Sequence, residues 1–274
     1  MAKSNMTGYK IFRTVLGGLF KLYYSPKIIG GENIPKDGSF LLVGNHIHIM
    51  DQCLPLLATK RPVSYMAKKE YFDNKKVAWF FKAAGCIPVD RSIKDTKATD
   101  RALEVLKNDE ALGLFPEGTR NGLKPEKMKE VGEFCGFEFD KRQMKILKNQ
   151  RTSQINFLME LVNDEAITMD EFKDNLCRCN DFMLELVDKK IISMDTYYDK
   201  LFLPFKFGAV SMASKSDSYI VPFVITGTYK FRSKDLRVRF GKAFKPGDDL
   251  EKANNKLRKV MIDLYKENIK NSGK

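Results

Sequence analysis

The sequence predicts an α/β protein: a mixed central sheet flanked by helices, with an amphipathic N-terminal helix and an all-helical insertion. Three observations predict it. From about residue 39, short apolar runs of strand length alternate with helical stretches. Before that alternation, segment 8–24 spaces its apolar residues at helical period. Residues 123–200 interrupt the alternation, lack strand-like runs and contain an internal repeat.

The N-terminal segment places Tyr9, Phe12, Leu16, Leu19, Phe20 and Tyr23 on a wide apolar face, with Lys10, Thr14, Gly17 and Lys21 on a narrow polar stripe. Two readings stand open. The helix packs on the domain's own core, or it lies in a lipid interface with its lysines near the headgroups. The pair Gly17-Gly18 weakens it as a continuous helix. Segments 39–43, 63–67, 86–90 and 111–115 are short and apolar enough for buried strands, with helices expected at 51–59, 70–84 and 94–108. Two more strands, 219–225 and 236–240, precede a terminal amphipathic helix over 250–269. The expected division is one α/β domain of residues 1–122 and 201–274 around a helical insertion at 123–200.

Within the insertion, Phe157-Leu-Met-Glu-Leu-Val recurs 25 residues later as Phe182-Met-Leu-Glu-Leu-Val, and Ile167-Thr-Met-Asp recurs as Ile192-Ser-Met-Asp. Nine of 20 aligned positions from Phe157 are identical, too many for chance periodicity. Thr168 with Glu171 has the form of a capping box, so each unit reads helix, turn, helix.

Composition narrows the partners. With 48 Lys+Arg against 35 Asp+Glu the chain has a net charge of +13, which points to a polyanionic partner: nucleic acid, an acidic membrane surface or a phosphorylated small molecule. The longest charge-free stretch is the 13 residues from Gly38 to Met50, against about 20 for a bilayer span, so no transmembrane helix is expected. No apolar run with a cleavage site follows Lys3, so no secretory signal is expected either. Cys53, Cys86, Cys135, Cys177 and Cys179 are odd in number and include no CxxC pair, which argues for reduced thiols in a cytosolic compartment. Cys177 and Cys179 have no histidine near them in sequence, and no metal site is expected.

The only two histidines, His46 and His48, fall in Gly44-Asn45-His46-Ile47-His48-Ile49-Met50-Asp51, after a strand and before a helix. Strand ends facing helix N-termini are where α/β proteins collect catalytic groups. Imidazole is the natural general base near neutral pH, and a carboxylate across the turn can fix its tautomer and stabilise the imidazolium. Cys53, two residues past Asp51, opens a Cys–His acyl-enzyme route, against the alternative that it packs in the following helix.

Asn45-His46-x4-Asp51 resembles the NHxxxxD motif of the glycerolipid acyltransferases, the family of 1-acylglycerol-3-phosphate acyltransferase. Gly85-Cys86-Ile87-Pro88-Val89-Asp90-Arg91 resembles that family's second block, Phe115-Pro116-Glu117-Gly118-Thr119-Arg120 its third, and Ile220-Val221-Pro222-Phe223 its fourth. The likeness covers roughly residues 8–122 and 201–245, and Phe205-Lys206-Phe207-Gly208-Ala209 supplies a segment the family places soon after its third block. The two repeat units resemble the short helical SHOCT module, which implies an interaction or oligomerisation element or, starting so soon after Arg120, a cover over the acceptor pocket.

The resemblance implies the roles. His46, oriented by Asp51, is the base, with His48 secondary. Arg91 and Arg120 each follow a buried strand, where a guanidinium offers bidentate bonds to phosphate, and Lys68 matches the family's lysine after its second strand. Glu117 and Gly118 are implied in binding the glycerol-phosphate acceptor, with turn capping as the other reading of Glu117. The implied reaction moves an acyl group from a thioester, acyl carrier protein or coenzyme A, to the 2-hydroxyl of lysophosphatidic acid in phospholipid biosynthesis, with no cofactor beyond the donor. Acylation of glycerol 3-phosphate or another lysolipid is the nearest rival, and a non-catalytic basic membrane-binding protein the most distant one. The implied location is cytoplasmic, peripheral on the inner face of the membrane.

The charge divides unevenly. Residues 123–200 hold 13 Lys+Arg and 16 Asp+Glu, and the rest of the chain 35 and 19. A framework this basic suits an anionic membrane surface and an acidic acceptor more than nucleic acid, for which no aromatic-rich motif is present. Protein partners or self-association are expected, if anywhere, through 123–200.

Overall fold

A computed structural model describes residues 4–90, 92–93 and 95–270, with the side chains of 4–8, 11 and 12 left out. Arg91 and the Phe12 side chain therefore lie outside the described residues. The chain forms two compact units, Met1–Gly118 with Phe205–Lys274, and Thr119–Pro204.

The first unit is built on a seven-stranded sheet: β1 (Lys27–Ile29), β2 (Phe40–Gly44), β3 (Val63–Lys68), β4 (Ile87–Val89), β5 (Ala111–Leu114), β6 (Tyr219–Thr226) and β7 (Arg237–Phe240). Their order is β1-β7-β6-β2-β5-β3-β4. Strands β2 to β6 run parallel to one another, while β7 is antiparallel to β6 and parallel to β1. The sheet is mixed, as expected, and its interior strands are continuous apolar runs because both faces are covered. All five residues of β2 are buried.

On one face, Phe40, Leu42, Val63, Tyr65, Val221 and Phe223 pack with Phe20 of the N-terminal helix (Ser4–Tyr24) and Leu54 of the helix Cys53–Ala58. The helices Thr96–Lys107, Gly208–Lys215 and Leu250–Lys270 pack against β5, β2 and β6. The N-terminal helix is continuous through Gly17-Gly18. Gly17 is buried, and a Cβ there would come within 3.1 Å of the Leu57 side chain, so this glycine lets two helices approach closely. Arg13 Nε donates to the carbonyls of Leu56 and Thr59 at 2.9 and 3.0 Å, closing the C-terminal end of that second helix.

Two expectations need correction. The helix expected over 70–84 is two, Glu70–Asp73 and Ala78–Ala83. Asn74 leaves helical geometry, and its side-chain Oδ1 accepts from Lys76 N at 3.0 Å, a local turn that outcompetes the helical ladder. Strand β1 was not expected at all: three residues show no readable period, and the parallel pairing of Lys27–Ile29 with Arg237–Arg239 forms it.

The second unit is helical among its described residues. The helices Thr152–Asn163 and Cys179–Asp188 each precede a turn and a short helix, Met169–Asn175 or Met194–Asp199. Glu165 and Lys190, 25 positions apart, both take a left-handed backbone at φ 57° and 60°. Thr168 accepts from Glu171 N and Ser193 from Thr196 N, so each short helix starts on a hydroxyl cap. Leu161 and Leu186, Ile167 and Ile192, and Leu176 and Leu201 are buried in both copies.

Candidate active site

Because β2 to β6 are parallel, their C-terminal ends share one edge of the sheet. The chain leaves β2 to one side for β3, and β5 and β6 return to flank it. Such a switch in strand order opens a crevice beyond the carboxyl ends.

Asn45 comes first after β2. Its Nδ2 donates to Ile225 O at 3.0 Å, and its Oδ1 accepts from Ile225 N at 2.7 Å. The side-chain amide thus acts as one more peptide in the β2–β6 ladder. A carboxylate could not donate, so the position needs an amide. Just before it, Gly44 lies under the Phe223 ring, where a Cβ would stand 2.2 Å from a ring carbon.

The turn then brings Asp51 back toward the strand end. Asp51 is fully buried, and its Oδ2 contacts His46 Nδ1 at 2.8 Å while accepting from the amides of Ile47 at 2.7 Å and His48 at 2.8 Å. Its Oδ1 accepts from the Tyr229 hydroxyl at 2.6 Å. With the carboxylate facing Nδ1, that nitrogen carries the proton and Nε2 keeps its lone pair. The His46 side chain is 20% exposed, enough for a substrate to reach. Its ring stacks on Phe115, centroids 4.2 Å apart and planes 13° off parallel. His48 is turned elsewhere: its ring stacks on Tyr229 at 4.1 Å, and its Nδ1 accepts from Met50 N at 3.3 Å.

Cys53 is a poor nucleophile here. Burial, and next the Asp51 charge, push its thiol up to about 12, so it stays protonated near neutral pH.

Lys68 ends β3 and is exposed, opposite Val89 at the end of β4. Arg91, two residues after that strand, is outside the described residues. Glu117 is buried in the turn after β5. Gly118 beside it has φ 69°, and the Lys206 side chain passes 3.0 Å from where a Cβ would be, so a side chain here would meet both strain and a clash. Lys206 N donates to Pro116 O at 2.8 Å, which ties the 205–209 segment to the third block. Arg120 is exposed and falls in the second unit.

Three side chains at this edge had no role assigned from sequence: Tyr229, Phe115 as the platform for His46, and Lys206 beside Gly118. Lys206 and Phe115 stand inside quoted motifs. Tyr229 lies three residues beyond β6, and no local spacing marks it.

The family model described as Acyltransferase matches residues 25–226, a span running from β1 to the end of β6. The chain belongs to the acyltransferase family. Over 113 residues, this acyltransferase is 33% identical to the 1-acyl-sn-glycerol-3-phosphate acyltransferase of Bacillus subtilis, covering 41% of this chain and 57% of that protein. Over 127 residues it is 32% identical to the protein of the same name from Streptococcus pneumoniae, covering 43% and 48%. The chain thus spans about half the length of the curated relatives it matches. The crystal structure of the 1-acyl-sn-glycerophosphate acyltransferase of Thermotoga maritima is similar to it at a TM-score of 0.55 and 18% identity, covering 96% of this chain and 78% of that one, a likeness of fold.

Proposed function

We propose that this acyltransferase transfers an acyl group from a thioester donor to the 2-hydroxyl of lysophosphatidic acid, giving phosphatidic acid. The observation that supports this reading best is the His46 ring held on buried Asp51 at the shared strand edge, with Nε2 left to act as base. His46 Nε2 takes the hydroxyl proton as the oxygen attacks the thioester carbonyl. The tetrahedral intermediate then expels the thiolate, which takes the proton back from the imidazolium. Asp51 stabilises that imidazolium and fixes the ring, and Phe115 limits its rotation.

The acceptor phosphate is assigned to Lys68, Arg91 and Arg120, with Glu117 and Gly118 shaping the turn that receives the glycerol. Holding the phosphate keeps the hydroxyl beside the base, and such positioning contributes several kcal/mol, on the order of a 10³-fold rate effect or more. The acyl carrier is acyl carrier protein or coenzyme A, and no further cofactor enters this scheme.

The proposed setting is an anionic membrane surface. Both open readings of the N-terminal helix find support. Tyr9, Gly17 and Phe20 are buried against the core. On another face Val15, Leu16, Leu19, Leu22 and Tyr23 are exposed, Leu22 at 62%, beside exposed Phe231. Lys21, Arg232 and Lys234 line a cleft of about 490 Å³ next to Leu22. Apolar side chains rimmed by cations suit a lipid interface with anionic headgroups. No helix among the described residues is long and apolar enough to cross a membrane.

The test is a panel of lysolipids and glycerol 3-phosphate, each with acyl carrier protein and coenzyme A thioesters, on the purified chain with anionic vesicles. Mass spectrometry of the products should show phosphatidic acid from lysophosphatidate as the preferred product. Faster acylation of glycerol 3-phosphate or of another lysolipid would replace the acceptor, and vesicle binding without any product would leave a non-catalytic membrane-binding protein.

A further inference from the structure

We propose that Tyr229 is a positioning residue of this site: its hydroxyl locks the Asp51 carboxylate, and through it the His46 ring, in the orientation proton transfer requires. The proposal rests on the function proposed above. The two Asp51 oxygens are held from different sides. Oδ2 takes the His46 ring and two amides of its own turn, whereas Oδ1 accepts from Tyr229, 178 residues away in sequence. Contacts at Oδ2 alone hold the carboxylate by one oxygen and leave it able to tilt about that point. The 2.6 Å bond at Oδ1 removes that freedom.

Tyr229 is itself well fixed. Its ring stacks on His48 at 4.1 Å and meets Tyr24 and Phe20 of the N-terminal helix edge-on at 5.5 and 6.4 Å. Arg232 N donates to Tyr23 O at 2.9 Å, fastening the same loop to the end of that helix. Burial, and next the Asp51 charge, push the Tyr229 phenol far above its ordinary range, so it remains a donor at any pH the protein meets. Among the described residues, the other titratable groups facing the Asp51–Tyr229 pair are His46 and His48 from the turn, Cys53 from the following helix, Tyr65 from β3 and Tyr24 from the N-terminal helix. Burial pushes Cys53, Tyr65 and Tyr24 upward, and all three stay neutral.

The variant is Tyr229→Phe, which keeps the ring and its stacking and removes only the donor. We expect kcat to fall about tenfold with KM for both substrates within about twofold, because the loss falls on the reacting geometry and not on binding. The acid limb of the kcat–pH profile should move to higher pH, since a carboxylate with one donor fewer attracts the imidazolium more strongly. A third readout needs no turnover. In the full chain labelled with ¹⁵N-histidine, the ring proton between His46 and Asp51 should move downfield. A kcat within about twofold of the parent, or an unmoved profile and ring proton, overturns the proposal. If the parent chain turns over no thioester with any acceptor, the functional reading fails instead, and the ring proton alone decides on Tyr229.

Discussion

The turn at residues 45–51 and the repeated helices of 157–201 differ in what dictates their residues. In the turn, hydrogen bonds dictate them. Asn45 matches a peptide donor and acceptor on Ile225, and Asp51 meets four partners from two separate stretches of chain. In the repeat, packing dictates them. The pairs Leu158 and Met183 or Phe172 and Tyr197 differ between copies, yet all four are buried and similar in volume. The pairs Asn163 and Asp188, Asp164 and Lys189, and Glu165 and Lys190 differ more widely, and all six are exposed. Packing accepts volume-conserving exchange, whereas a buried hydrogen-bonded group left without its partner costs free energy outright. Chemistry at the turn therefore rests on atoms, and the repeat rests on shape.

That contrast can be broken by substitution. Asp51→Asn should have the largest effect: the neutral amide removes the charge that stabilises the His46 imidazolium, and kcat for thiol release should fall about 10³-fold or more, by analogy with removal of a triad carboxylate. A loss under tenfold would separate Asp51 from the chemistry. Leu186→Ala empties a fully buried site of the repeat, and should destabilise the helical unit by about 2–5 kcal/mol. Hydrogen exchange followed by mass spectrometry should place the loss of protection within 152–201, and protection equal to the parent would contradict the packing account. Gly44→Ala puts a methyl group into the Phe223 ring, and overpacking of this kind costs about 1–3 kcal/mol in a thermal melt. Phe223 touches Phe115, the platform of His46, so activity should fall with stability. The smallest effect tests the repeat's own exchange of caps. Thr168→Ala should cost about 1 kcal/mol in urea unfolding, and Thr168→Ser only a few tenths, since Ser193 does the same work in the second copy.

What could be read in the sequence follows the same division. The buried strands were legible because parallel strands covered on both faces are unbroken apolar runs, and β2 and β5 fall within one residue of expectation. The His46–Asp51 pair was legible because both partners sit in one turn. Long-range placement was not. Strand β1 depends on β7, some 200 residues on, and the break at Asn74 is a contest between a side chain and the helix ladder. The Tyr229 bond to Asp51 joins two loops that only the folded sheet brings together.

The central claim is that His46 is the base for acyl transfer, and one comparison tests it most directly. Thiol release from an acyl thioester is followed with lysophosphatidate as acceptor, for the parent chain and for His46→Ala, with circular dichroism confirming that both are folded. The account predicts steady lysophosphatidate-dependent release from the parent and a fall of about 10³-fold or more in the variant, with no phosphatidic acid in its product spectrum. Turnover by a folded His46→Ala chain at the parent's rate would contradict it.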